Sequence, residues 1–221
     1  MNDSVSSLVL AAPSGTGKTT LARRLVDGSE EYVFSISATT RDPREGERNG
    51  IDYHFVDQPS FAAMVERGEL AEWAEVHGQL YGTPRQGLEA AAARGEHVVL
   101  DIDVQGARRL RQTLPSTKLI FILPPSIEIL ISRLIRRGTE RPQEVARRLE
   151  SALQELQAAQ EFDYVVVNDD VDGCLETIRG IANGAVKAMG PEAVVRDIKA
   201  FRREILRILD EEYAEYVNMI R

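Results

Sequence analysis

Residues 7–19 read SLVLAAPSGTGKT. An apolar run, a glycine-rich turn and a Lys-Thr pair follow one another without a break, and TTLARRLV then carries apolar positions at helical spacing. The segment from Ala12 through Pro13, Ser14, Gly15, Thr16 and Gly17 to Lys18 and Thr19 fits the pattern G-x-x-x-x-G-K-[ST] except at its first position, where alanine replaces glycine. It follows a predicted strand and opens a predicted helix, so it reads as a phosphate-binding loop. Gly15 and Gly17 let the backbone curl so that successive N–H groups turn toward phosphate oxygens. The start of the helix adds a partial positive charge. Lys18 is placed for the β- and γ-phosphates of a nucleoside triphosphate, and the Thr19 hydroxyl for a Mg2+ ion bound with them.

Further apolar runs lie at Tyr32–Ser37, His97–Asp103, Lys118–Leu123 and Tyr164–Val167. Like Ser7–Ala11, they are continuous rather than alternating, which suits strands covered on both faces. Helical patterns occupy Thr19–Val26, Pro84–Arg94, Gln105–Gln112, Ile127–Arg136 and Gln143–Gln160. This alternation predicts an α/β fold, a P-loop NTPase-type parallel sheet flanked by helices. The expected core takes in residues 5–37, 97–135 and 144–189. Residues 38–96 break the rhythm with charged loops, a short helix near Ser60–Glu66 and the mixed stretch ELAEWAEVHGQLYGT, and read as an inserted lobe. RRGTERPQ (136–143) interrupts two helical segments and reads as a small lid. Asp101 and Asp103 close a predicted strand, where ligands gather in open α/β sheets, and are candidate acids for the metal side.

The net charge of −8 argues against a nucleic-acid-binding protein that relies on a broad basic surface. One cysteine, Cys174, leaves no disulfide framework or cysteine metal cluster. His54, His77 and His97 have no metal-ligand spacing. The N-terminus lacks a basic signal-peptide region, and no apolar stretch approaches the roughly 20 residues of a membrane-spanning helix. A soluble, cytoplasmic protein with no membrane or nucleic-acid partner is expected.

Residues 37–55, SATTRDPREGERNGIDYHF, crowd arginines and acids into a segment with few apolar residues. By charge alone this is a solvated loop. The segment nevertheless resembles the GMP-binding signature of guanylate kinases. EWAEVHGQLYGTP (72–84), VVLDIDVQGARRLR (98–111), RLIRRGTE (133–140), ARRLESA (146–152) and YVVVNDD (164–170) are similar to that family's motifs and stand in its order. The resemblance covers about residues 7–185.

The resemblance implies Mg2+-dependent transfer of the ATP γ-phosphate to GMP or dGMP, within a guanylate kinase-like domain over residues 1–190 whose inserted lobe, 38–96, binds GMP. It places Arg41 and Arg44 on the GMP phosphate, where forked guanidinium donors suit bidentate contact, with Tyr53 and Tyr81 completing the cradle. Glu72 and Asp101 would accept from the guanine N–H groups, and Ser37 and Thr83 would donate to O6. Asp101 has a second candidate duty in the metal shell. Arg133, Arg137 and Arg148 would meet ATP phosphates when the lid closes, and Asn168 would lie near adenine. Glu45, Glu47 and Arg48 read as solvated loop charges. Two other readings remain, a related P-loop kinase of another phosphorylated acceptor and a non-catalytic guanylate kinase-like binding module.

After Gly190–Pro191, apolar residues recur at Ile198, Phe201, Ile205, Leu209, Tyr213, Tyr216 and Ile220, close to the period of one helix face. The extension 191–221 is expected to be an amphipathic helix, either docked on its own domain or joining two copies in a homo-oligomer.

Overall fold

Each of the five apolar runs forms a strand in the computed structural model, which describes residues 6–76, 78–135, 141–186 and 190–216. In chain order the elements are β1 (Ser7–Ala11), α1 (Lys18–Asp27), β2 (Tyr32–Phe34), β3 (Ala38–Thr39), β4 (His54–Phe55), α2 (Gln58–Glu66), β5 (Leu70–Val76), β6 (Gln79–Pro84) and α3 (Arg85–Arg94). There follow β7 (His97–Asp101), α4 (Val104–Thr113), β8 (Lys118–Leu123), α5 (Ile127–Ile135), α6 (Pro142–Ala158), β9 (Tyr164–Val167), α7 (Val171–Ala182) and α8 (Val195–Glu212). Short 3-10 turns stand at Ala159–Glu161 and Pro191–Val194.

Five strands form one sheet in the order β2-β7-β1-β8-β9, and its β2–β7 and β8–β9 pairs are parallel. Leu8, Leu10, Leu100, Ile120 and Phe121 are sealed from solvent, which explains why these strands read as unbroken apolar runs. The strand expected over Tyr32–Ser37 stops at Phe34. One more ladder bond forms, Ser35 N–H to Val99 O at 2.9 Å, before the chain turns away toward β3. Asp103 is not in a strand either. It caps α4, its carboxylate accepting the Gly106 N–H at 2.8 Å.

The inserted lobe contains a second sheet, ordered β4-β3-β6-β5, whose β5–β6 hairpin is antiparallel. Ala38, Phe61 and Leu70 form its core, with Val56, Met64, Val65 and Leu80 packed around them. Gly82 fits here because a Cβ would come within 2.7 Å of Leu70 Cδ1, 3.1 Å of Phe61 Cζ and 3.2 Å of Glu72 O. Overpacking a filled core costs about 1–3 kcal/mol, so Gly82→Ala is expected to lower the unfolding free energy by an amount in that range, read as a lower urea midpoint. An unchanged midpoint would show that the lobe core yields.

The chain divides into two compact units, one running up to Val9 and resuming over Ala22–Lys118, the other made of Leu10–Leu21 and the chain from Leu119 onward. The first unit holds the lobe with β2, β7, α3 and α4, and the second holds the P-loop with β8, β9 and α5 to α8. In the second unit α8 packs on α6 and α5. Of its expected stripe, Ile198, Phe201, Ile205 and Leu209 are buried within the chain, together with Ile208, while Tyr213 and Tyr216 are half-buried. Ile220 lies outside the described residues. Among the described residues no helix is long and apolar enough to cross a membrane.

Candidate active site

In the unit that carries the P-loop, the turn between β1 and α1 is closed on itself. The Thr16 N–H and hydroxyl both donate to Pro13 O, at 3.2 and 2.6 Å. Gly15 and Gly17 take φ values of 82° and 94°, a region that L side chains avoid. Each is also crowded, since a Cβ on Gly15 would lie 3.2 Å from Arg133 Cβ and one on Gly17 would lie 3.0 Å from Asn168 Nδ2. Lys18 and Thr19 form the first turn of α1.

Three side chains from distant segments converge on this loop. Arg133, from α5, donates through Nη1 to Thr16 O at 3.1 Å and Gly15 O at 3.4 Å. Arg148, from α6, donates to Leu134 O at 2.8 Å and to Ser14 Oγ at 3.3 Å. Arg133 thus holds the P-loop from its carbonyl side, and Arg148 reaches it at the Ser14 hydroxyl. Asn168, just past β9, is buried and donates through Nδ2 to Thr16 O at 2.8 Å. Its Oδ1 receives the Cys174 thiol at 3.7 Å. In this structure Asn168 thus holds the loop backbone itself, a contact that resemblance to an adenine neighbour does not suggest. Arg137 lies outside the described residues. Of the expected lid, Pro142 and Gln143 belong to the first turn of α6.

The other unit holds the residues expected at the acceptor. Glu72 on β5 is only 6% exposed, and its Oε1 accepts the Thr83 hydroxyl at 2.5 Å across the hairpin. Burial pushes its carboxyl up from the usual range, and Asp103 adds to the effect against the Thr83 hydrogen bond and the Arg109 charge. A Cβ on Gly106 would stand 3.1 Å from Glu72 Oε2, so the missing side chain lets the carboxylate lie against the first turn of α4. The Thr83 hydroxyl has one proton, and here it goes to Glu72. Ser37 is buried beside β3, with its carbonyl accepting the His54 N–H at 2.8 Å. Asp101 ends β7, half-buried.

Arg41, Tyr53 and Tyr81 are brought together. The Arg41 guanidinium carbon sits 5.3 Å from the Tyr53 ring centre and 5.8 Å from that of Phe55, and Tyr53 meets Tyr81 edge-on at 6.1 Å. Glu47 is no solvated bystander. Its Oε1 accepts from Arg41 Nη2 at 2.9 Å and its Oε2 from the Arg44 N–H at 2.7 Å. Neither periodicity nor charge counting could single it out from Glu45. Asp52 also has a job, accepting the Arg48 N–H at 2.8 Å and pairing with Arg23 of α1. Of the histidines, His97 is structural, taking the Ser6 N–H on Nδ1 at 3.0 Å and stacking on Tyr32.

A family model described as guanylate kinase matches residues 4–183. The guanylate kinase of Dechloromonas aromatica (strain RCB) is 45% identical over 197 residues, which is 89% of this chain and 97% of its own. That of Nocardia farcinica (strain IFM 10152) is 49% identical over 173 residues, 77% of this chain and 90% of its own. The crystal structure of guanylate kinase from Anaplasma phagocytophilum aligns with a TM-score of 0.66 at 34% identity, covering 95% of each chain. By the family model and these relatives, this chain belongs to the guanylate kinase family.

Proposed function

We propose that this chain transfers the γ-phosphoryl group of ATP to GMP, and to dGMP, giving ADP and GDP or dGDP. The observation that carries the acceptor's identity is Glu72, a buried carboxylate oriented by Thr83. Guanine offers adjacent N1–H and N2–H donors to such a group. Adenine would present its N1 lone pair instead, and leaving buried polar groups unmatched can cost several orders of magnitude in specificity. Asp101 and Ser37 support the same reading as a second acceptor and a donor for O6.

Phosphoryl transfer is achieved mainly by positioning and charge. A GMP phosphate oxygen attacks the γ-phosphorus in line, and the bond to the β–γ bridging oxygen breaks. No side-chain nucleophile is required, because the GMP phosphate is already ionised. Lys18 offsets charge on the transferring group, Arg41 and Arg44 hold the acceptor phosphate, and Arg137 and Arg148 complete the donor side. Arg133 and Asn168 keep the loop carbonyls turned away from the phosphates, and Asn168 borders the adenine. Water must be kept from the γ-phosphate during transfer, or ATP would be hydrolysed.

Mg2+ suits this donor set. This ion keeps several waters and phosphate oxygens and takes one or two protein oxygens; the Thr19 hydroxyl would hold it, with Asp101 as the second candidate, partly through water. When bound it neutralises charge on the β- and γ-phosphate oxygens. The single cysteine, buried and unbridged, suits a reducing cytoplasm.

A coupled assay with Mg·ATP tests the reading, offering GMP, dGMP, AMP, CMP and UMP in turn. Turnover is expected with GMP and dGMP, and lower by at least about 10³-fold with AMP. Absence of turnover with GMP would refute it.

A further inference from the structure

We infer that Glu47 is a positioning residue for the acceptor phosphate, holding Arg41 and the Arg44 main chain in one arrangement before the ligand arrives. The inference rests on GMP being the acceptor. It starts from the two oxygens of one carboxylate. Oε1 takes a guanidinium N–H of Arg41 at 2.9 Å, and Oε2 takes the backbone N–H of Arg44 at 2.7 Å. The Glu47 N–H returns to Arg44 O at 3.0 Å, so a tight turn links the two arginine positions. Gly46, inside that turn, has φ of 85°.

Arg41 is fixed from several sides. Its Nη1 donates to Asp42 O at 2.7 Å, its backbone N–H donates to Thr39 Oγ1 at 3.2 Å, and its plane lies near the Tyr53 and Phe55 rings. Its side chain is 15% exposed and that of Glu47 20%, so the pair is shielded more than an ordinary surface bridge. Arg41 in turn holds the Glu47 carboxyl below the usual carboxylate range, so Glu47 stays ionised and an acceptor at neutral pH.

An unrestrained arginine loses rotamer freedom when it binds phosphate. Fixing it in advance moves that ordering out of the binding step, which raises affinity without adding any contact to the ligand. A lone carboxylate competing for Arg41 would have no reason to hold the Arg44 amide as well. The bidentate arrangement is that of a brace.

The test is a double-mutant cycle on the whole chain, read by calorimetric titration with GMP and, separately, with a non-hydrolysable ATP analogue. Glu47→Ala is expected to weaken GMP binding about tenfold. Glu47→Gln, which keeps one acceptor but turns an amide toward a donor, should fall between. Affinity for the ATP analogue should stay within about twofold. In an Arg41→Ala background the Glu47→Ala loss should shrink to under about threefold, because Glu47 acts largely through Arg41. Unchanged or tighter GMP binding in Glu47→Ala overturns the inference, as do parallel losses for both nucleotides or additivity in the Arg41→Ala background. Failure of the unaltered chain to bind GMP would instead sink the acceptor assignment.

Discussion

Lys18→Met is expected to lower kcat with Mg·ATP and GMP by about 10³-fold while leaving GMP binding near its original strength. Removing one preorganised charge or donor from a transition-state site typically costs between two and three orders of magnitude. Lys18 lies at the upper end because phosphoryl transfer has little else to draw on. Its position makes substitution by a nearby group difficult. It opens α1 directly after Gly17, whose φ of 94° fixes where the lysine stem begins. Methionine keeps the stem length and apolar bulk, so the loop should still close through Thr16 and Pro13. Turnover reduced less than tenfold would mean that the lysine does not reach the transferring group. Calorimetry with GMP supplies the control, because the residues proposed for the acceptor lie in the other compact unit.

Glu72→Gln should lower kcat/KM for GMP by about 10²–10³-fold, spare the KM for ATP, and make the fold more stable at neutral pH. The loss follows from the Thr83 bond. An amide at position 72 would turn its oxygen to the Thr83 hydroxyl and present N–H groups where guanine also presents N–H groups. The stability gain follows from the raised carboxyl. Below the ordinary carboxylate pKa, Glu72 is neutral in both folded and unfolded chains and carries no penalty. As pH rises past that value the unfolded chain ionises first, so stability falls until the folded carboxyl also ionises. The penalty then persists to neutral pH, and the glutamine variant escapes it. Denaturation at neutral and acidic pH checks this, since the difference between the two proteins should narrow in acid. Equal damage to GMP and ATP kinetics would refute the assigned role. A functional group that weakens its own fold is common at binding sites.

The layout of the fold was legible because the central strands are covered on both faces. SLVLA, KLIFIL and YVVV form strands with the predicted bounds, since nothing in them competes with burial. The β5–β6 hairpin was not legible, and Glu72 and Trp73 explain why. The strand turns a glutamate inward and leaves tryptophan 39% exposed, so hydropathy runs opposite to the burial it normally reports. Arg109 shields that ring, lying 5.3 Å from its centre and donating to Trp73 O. The α7 helix was missed as well, although Asp170 caps it in the usual way through the Gly173 N–H at 2.7 Å.

At the site, pattern and resemblance pointed to the P-loop segment and to Arg133 and Arg148, which reach it in the structure. They could not reveal side-chain pairings across long separations. Asn168 and Thr16 stand 152 residues apart, and no period connects them. Glu47 illustrates the opposite case, a partner only six residues from Arg41 in a stretch so dense in charge that every acid looks equivalent. The direction of the Thr83 proton depends on Glu72, which faces it across the hairpin.

The Cys174 thiol donates to Val167 O at 3.0 Å, leans on the amide that holds the P-loop, and is pushed by burial up to about 11. Thiolate is the form that alkylating reagents attack, so almost none is present at neutral pH while the thiol stays packed. Modification must therefore wait for a local opening, as amide exchange does. The chain thus carries a native timer one side chain away from its phosphate loop, and its labelling rate records how often that corner of the protein comes apart.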